Sequence, residues 1–173
     1  MKIEDYEIKY AAMNSIDIGF SYFKHFRKTI NFNKKAALEL LLKSYKEDIF
    51  TSQNRYDEFI NDCSEKLKPF CGKEYGIAIF VVSLFIKHIA FYLSSEEREI
   101  IYAPFSRLEL LEIDTGYKGI THIKSFNDYM SVVNTLRTKM ANRAFENESL
   151  NNAKTIYEWE ILWWNNYWDN HRN

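Results

Sequence analysis

The side chains with the widest chemical repertoire in this chain are four histidines, His25, His88, His122 and His171, and two cysteines, Cys63 and Cys71. A histidine pair in H-E-x-x-H would bind zinc and activate water. A histidine three positions after a glutamate would serve a di-iron bundle. Neither spacing occurs. An arginine four to six residues before a histidine, the pattern of one family of small helical ribonucleases, is also absent. Cys63 and Cys71 are eight positions apart with no histidine nearby in sequence, which fits no zinc pattern. A thiol could meet a histidine in space as a nucleophile–base pair, but two reduced structural thiols in a cytoplasmic protein are the expectation. His88 stands in an apolar stretch and reads as a hydrogen-bonded core histidine. His25 belongs to the basic run Lys24-His25-Phe26-Arg27-Lys28, which reads as a solvated helix face. Phosphate cradles need glycines that expose backbone N–H groups. The chain has 5 glycines and no P-loop, no G-x-G-x-x-G and no G-x-S-x-G. No catalysis, cofactor or metal is therefore expected.

Two other groupings could recognise a partner. The acidic set Glu96, Glu97, Glu99, Glu109, Glu112 and Asp114 could meet a basic surface. It reads equally as helix N-termini and solvent faces, where carboxylates offset the helix dipole. The second grouping is Trp159, Trp163, Trp164, Tyr167 and Trp168. Trp and Tyr are favoured binding anchors. Helical spacing assigns Leu150, Tyr157, Ile161, Trp164 and Trp168 to the core. Trp159 and Trp163 then project from another side, toward a further helix or a partner.

The elements that must position these groups are helices. Gly and Pro number only 5 and 2, too few for the turns of a β-sandwich, while hydrophobic residues make up 46% of the 173. The expected fold is an all-α, single-domain bundle over residues 1–173, with about six to eight helices. A first segment, 4–29, carries Ile8, Ala12, Ile16, Phe20, Phe23 and Phe26 on one face, with possible breaks at Asn14-Ser15 and Gly19. Asn33 caps a helix over 34–50, and Ser52 caps one that Pro69 and Gly72 end. The most apolar run, Tyr75 to Leu93, has no charge from Tyr75 to Ile86. Lys87 and His88 interrupt it short of a membrane span, so a central buried helix is expected, with a buried strand as the alternative. Ser94 with Glu97 forms a capping box. Leu108 and Leu111 lie on a different helix face from Glu109 and Glu112. Ser125 with Asp128 starts another helix, and a last one runs from 150 to 168.

The formal net charge is -1. That offers no general positive field for nucleic acid, although Lys24, Arg27, Lys28, Lys34 and Lys35 cluster locally. No apolar leader follows Met1, and a cytoplasmic location is expected. The chain is rich in Phe, Tyr, Ile, Asn and Lys and poor in Gly, Ala, Arg and Pro. That bias suits an AT-rich genome or a mobile accessory gene. In size, lack of catalytic motifs, cytosolic character and composition, the chain resembles the immunity proteins of bacterial contact-dependent inhibition and other polymorphic toxin systems. The resemblance is one of type, without a shared motif, so it assigns no residue. It implies a protein partner, a cognate toxin such as a nuclease, whose active site is occluded. A regulatory or structural interaction protein of phage or mobile-element origin is the alternative. A melting temperature unchanged by EDTA is expected. A large drop would reveal a structural metal that the ligand spacings do not show.

Overall fold

The computed structural model describes residues 3–24 and 32–171. The basic run from His25 to Lys28, and Phe26 of the first apolar stripe, lie outside the described residues. Eight α-helices follow one another among them: α1 (Asp5–Lys24), α2 (Lys34–Ser44), α3 (Gln53–Leu67), α4 (Tyr75–Ile89), α5 (Ser95–Arg98), α6 (Arg107–Ile113), α7 (Phe126–Ala141) and α8 (Ile156–His171). Short 3-10 turns join several of them, and the described residues contain no strand beyond a single bridge between Phe32 and Cys71. The fold is all-α, with one buried apolar helix.

Local chemistry sets the helix starts. The side chains of Asn33, Ser52, Ser94, Ser106 and Ser125 each accept a hydrogen bond from a first-turn N–H, which would otherwise lack a partner. Ser94 and Ser106 close full capping boxes with Glu97 and Glu109. Pro69 lies in the 3-10 turn Lys68–Phe70 that follows α3, and Gly72 adopts a φ of 67° just beyond it. The helix expected over 34–50 stops at Ser44. A 3-10 turn over Glu47–Phe50 follows and buries Ile49 and Phe50. The first helix is continuous through the breaks expected at Asn14-Ser15 and Gly19. The Ser15 hydroxyl bonds the Ala11 carbonyl one turn back, so a polar residue costs this buried face nothing unsatisfied.

Helix α4 sits at the centre. Every residue from Tyr75 to Ile86 is buried, and α1, α3 and the 3-10 turn Ile120–His122 pack on it. Helix, not strand, is the conformation of this run. It is long and apolar enough to cross a bilayer, but here its side chains are packed against the other helices. Two close approaches fit the neighbours to it. A methyl group on Gly19 of α1 would lie 2.5 Å from Val81 Cγ2, and one on Gly76 of α4 would lie 1.8 Å from the Ile120 carbonyl oxygen. These two glycines serve proximity.

The connection from Ile101 to Ser106 is buried although it belongs to no helix or strand. Tyrosine hydroxyls satisfy its backbone. Tyr56 accepts from the Tyr102 N–H at 3.1 Å, and Tyr129 donates to the Ala103 carbonyl at 2.9 Å. Pro104 needs no N–H partner, which suits it to this crossing.

Gly76→Ala should cost about 3 kcal/mol of stability, since the added carbon meets backbone that cannot swing aside. Gly119→Ala, with open space around it, should stay within about 0.5 kcal/mol. Denaturant midpoints of the two variants test the contrast. Equal midpoints would mean that the approach of Ile120 to α4 is not tight.

Candidate functional site

The expected acidic set does not assemble into one patch. Glu96 and Glu99 are exposed on and just after α5. Glu97 is engaged in its capping box: its Oε2 accepts from the Ser94 N–H at 2.8 Å, and this bond lowers its pKa. Glu99 lines a cleft of about 540 Å³ together with Arg137 and Lys154, so cations share its surroundings. Glu112 is half-buried, and its carbonyl accepts from Lys139 Nζ at 3.0 Å. Asp114 is exposed in the left-handed C-cap of α6. Glu109 is buried, which removes it from any partner-binding surface.

On α6 the leucines Leu108 and Leu111 lie on a different face from Glu109, as expected, and Glu109 is on the inner one. Glu109, Leu110 and Ile113 point inward, whereas Leu108 is exposed and Leu111 is 56% exposed. The Ser106 capping box explains why Glu109 is inside. Glu109 Oε2 accepts from the Ser106 N–H at 2.7 Å, and Ser106 is itself buried. Tying the glutamate to a buried cap carries its side chain inside.

Inside, Glu109 meets a second buried carboxylate, Glu160 of α8, and one ammonium, Lys87 of α4. Lys87 Nζ pairs with Glu160 Oε1, and the Lys87 side chain is 26% exposed, the wet end of the cluster. Trp164 also donates to Glu160. Glu109 Oε1 has no hydrogen-bond partner. A bare carboxylate oxygen in the interior is costly, and a proton removes the cost. Burial first, and the neighbouring Glu160 second, push Glu109 up to about 8, against the opposing pull of Ser106 and Lys87. Burial also raises Glu160, which Lys87 and Trp164 partly offset. Three helices thus bring together two acids and one base, enough charge for one ion pair and one neutral acid. Both acids are shut away from solvent, so the cluster can hold a proton but cannot receive a substrate.

Trp159 and Trp163 of α8 are buried, so neither is available to a partner at the surface. The core assignment for this helix is corrected in part. Tyr157 and Leu150 are buried, Trp164 is half-buried, Ile161 is exposed, and Trp168 is 53% exposed. The physical reason is phase. Leu150 belongs to a separate 3-10 turn, Glu148–Asn152, and α8 begins at Ile156. Its inner row is therefore Ile156, Trp159, Glu160 and Trp163, at steps of three and four. The rings stack along the helix: Trp159 on Trp163 at 6.4 Å, Trp163 on Tyr167 at 5.4 Å, and Tyr167 on His171 at 4.2 Å.

The remaining candidates for chemistry are engaged locally. His88 Nδ1 lies 2.8 Å from the Leu84 carbonyl, and burial lowers its pKa. His122 contacts the Gly119 carbonyl at 3.3 Å. Both thiols are free and buried. Burial pushes Cys63 up to about 12 and Cys71 further in the same direction. Such thiols are poor nucleophiles. Among the described residues, no three His, Cys, Asp or Glu side chains converge to hold a metal.

One surface feature was passed over in the sequence. Asn54, Asp57, Glu58, Asn61, Asp62 and Glu65 recur at steps of three and four along α3, forming a polar, acidic row on one helix face. The first five line a cleft of about 280 Å³ with Phe126 of α7. Asp57 is fixed by hydrogen bonds from Gln53 Nε2 at 2.9 Å and the Tyr102 hydroxyl at 2.8 Å. Glu58 and Asp62 are exposed. A second cleft of about 460 Å³ shares Glu58 and Asp62 with the first and sets them among Lys43, Lys46, Arg55 and Lys66, around Leu40, Ile49 and Phe59. The signal was the periodicity of the polar residues, which attention to the apolar stripe of the same helix obscures.

Trp159→Ala should cost about 3–5 kcal/mol of stability, the usual range for emptying a buried aromatic site. Trp168→Ala should stay within about 0.5 kcal/mol. Chemical denaturation of both variants checks the phase of α8, and a reversed order would restore the other face to the core. In comparisons with known proteins, no family model, no curated protein and no solved structure matches this chain.

Proposed function

We propose that this protein is a toxin-neutralising immunity protein, which binds a cognate bacterial toxin and occludes its active site. The observation that carries the reading is the acidic row of α3. From Asn54 to Glu65 a helix rises about 16 Å. Carboxylates and amide oxygens along that length can stand where the phosphates of a nucleic acid lie in a basic nuclease cleft. Because the row is mounted on a regular helix, its groups are held in place before binding, and little ordering cost opposes association. Glu96 and Glu99 are exposed and so accessible to such a partner, whereas the buried Glu109 is not.

A second reading, an interaction module of a regulatory or structural complex, is favoured by a different face. Tyr6 and Tyr10 of α1 are 71% and 63% exposed, and Met13 is exposed beside them. Their spacing puts all three on one side of the helix. Tyr and Met are enriched in protein interfaces.

The two readings separate by mutation. The first reading requires a toxin domain encoded beside this chain's gene, and that domain is the partner to test. Glu58→Lys with Asp62→Lys should slow association with that domain by roughly tenfold or more and flatten its salt dependence. The melting temperature should stay unchanged, since both side chains are exposed. Glu96→Lys with Glu99→Lys should act in the same direction and more weakly. Association unaffected by these charge reversals but lost in Tyr6→Ser with Tyr10→Ser would move the interface to α1 and leave the nuclease-mimic mechanism without support.

A further inference from the structure

We propose that Glu109 and Glu160 share one proton that clamps α8 against α4 and α6, so that loss of the proton favours release of α8. The geometry has three parts. Both carboxylates are buried, they belong to different helices, and a single ammonium, Lys87, serves the pair. With Lys87 paired to Glu160 and Glu109 Oε1 without a partner, full ionisation would leave one uncompensated negative charge inside. Among the described residues, the other groups that face the pair are these. From α1 the neighbour is Tyr22, whose phenol is raised by burial and is neutral in this range. From α4, beyond Lys87, burial lowers His88, against the opposing pull of its bond to the Leu84 carbonyl. From α8, Trp164 donates to Glu160, and Tyr157 is a neutral phenol with Arg98 over its ring at 5.9 Å. On α6 itself, Ser106 already donates its N–H to Glu109, and Arg107 is exposed.

In the proposal α8 is the part of the clamp that moves. Its close backbone contacts are mainly with the 3-10 turn just before it. It reaches the rest of the bundle through side chains, of which Trp159, Glu160 and Trp163 are buried. If α8 swings away, both carboxylates return to water and to their ordinary range. The closed state therefore binds one more proton than the open state between about 4.5 and about 8. By linkage the clamp is strongest below that window. It weakens as pH rises through it and changes no further above it.

Native-state hydrogen exchange of the full chain tests this, with α8 amide rates corrected for intrinsic exchange. One linked proton makes the opening constant rise about tenfold per pH unit in mid-window and less near its upper end, so about 50-fold from pH 6 to pH 8 in the wild type. In Glu109→Gln, which keeps an oxygen for the Ser106 N–H, the rise should fall below about threefold. The opening constant of α8 should also exceed that of α4 at every pH. Tryptophan quenching provides an independent view, since all four tryptophans lie on α8. A flat wild-type profile would overturn the proposal, as would a Glu109→Gln profile that follows the wild type. Equal opening constants in α8 and α4 would overturn it even if the variant did not fold, because α8 would then open only with the whole molecule.

Discussion

From Tyr75 to Ile86, helix α4 has no side that faces water, and each neighbour must meet it at packing distance. That burial is the strongest constraint on the molecule. Each large apolar side chain removed from water contributes about 1.5–3 kcal/mol, and this stretch includes Ile77, Ile79, Phe80, Leu84, Phe85 and Ile86. Close packing also demands a shape. Gly19 lets α1 approach Val81, and Gly76 lets the Ile120 carbonyl approach α4. Once α1, α3 and the turn at Ile120 are placed by α4, the remaining helices fill the outside of a settled frame.

The cost of so complete a burial falls on polar groups that have to pass through the interior. Tyrosine hydroxyls meet much of it. Tyr56, Tyr102 and Tyr129 form a contiguous aromatic group, with ring centroids 5.2 and 6.0 Å apart. Their hydroxyls serve the Tyr102 N–H, Asp57 and the Ala103 carbonyl. A phenol brings apolar area and a hydrogen-bonding tip in one side chain, which is how a buried segment outside any helix survives between α5 and α6. The same economy fails at Glu109, where one oxygen stays bare and the side chain holds a proton instead.

Much of the architecture was legible in the sequence because it depends on local rules. The caps at Asn33, Ser52, Ser94 and Ser125, and the helical conformation of 75–89, follow from one-turn spacing and uninterrupted apolarity. What failed was phase. The reading of α6 placed Glu109 on the surface with the other carboxylates, yet the Ser106–Glu109 box carried it inside and left Leu108 and Leu111 outside. The reading of α8 counted Leu150 as its first turn, and the change of element before Ile156 shifted every later residue. The ion cluster of Lys87, Glu109 and Glu160 was not legible at all, since its members are far apart in the chain and each looks like an ordinary surface charge. The acidic row of α3 was legible in principle, because it obeys the same periodicity as the apolar stripe behind it.

The two cysteines and four tryptophans divide the molecule into separately observable halves. Cys63 lies on the inner face of α3, and Cys71 is bridged to Phe32. Both thiols are buried and held in the unreactive protonated form. An alkylating reagent can therefore reach Cys63 only when the packing around α3 opens, and the labelling rate becomes a clock for that event. The indoles, confined to α8, respond to the other half. Without any added dye, the wild-type chain thus carries a chemical reporter at one end of the bundle and an optical one at the other, and any order of events between them can be read from a single sample.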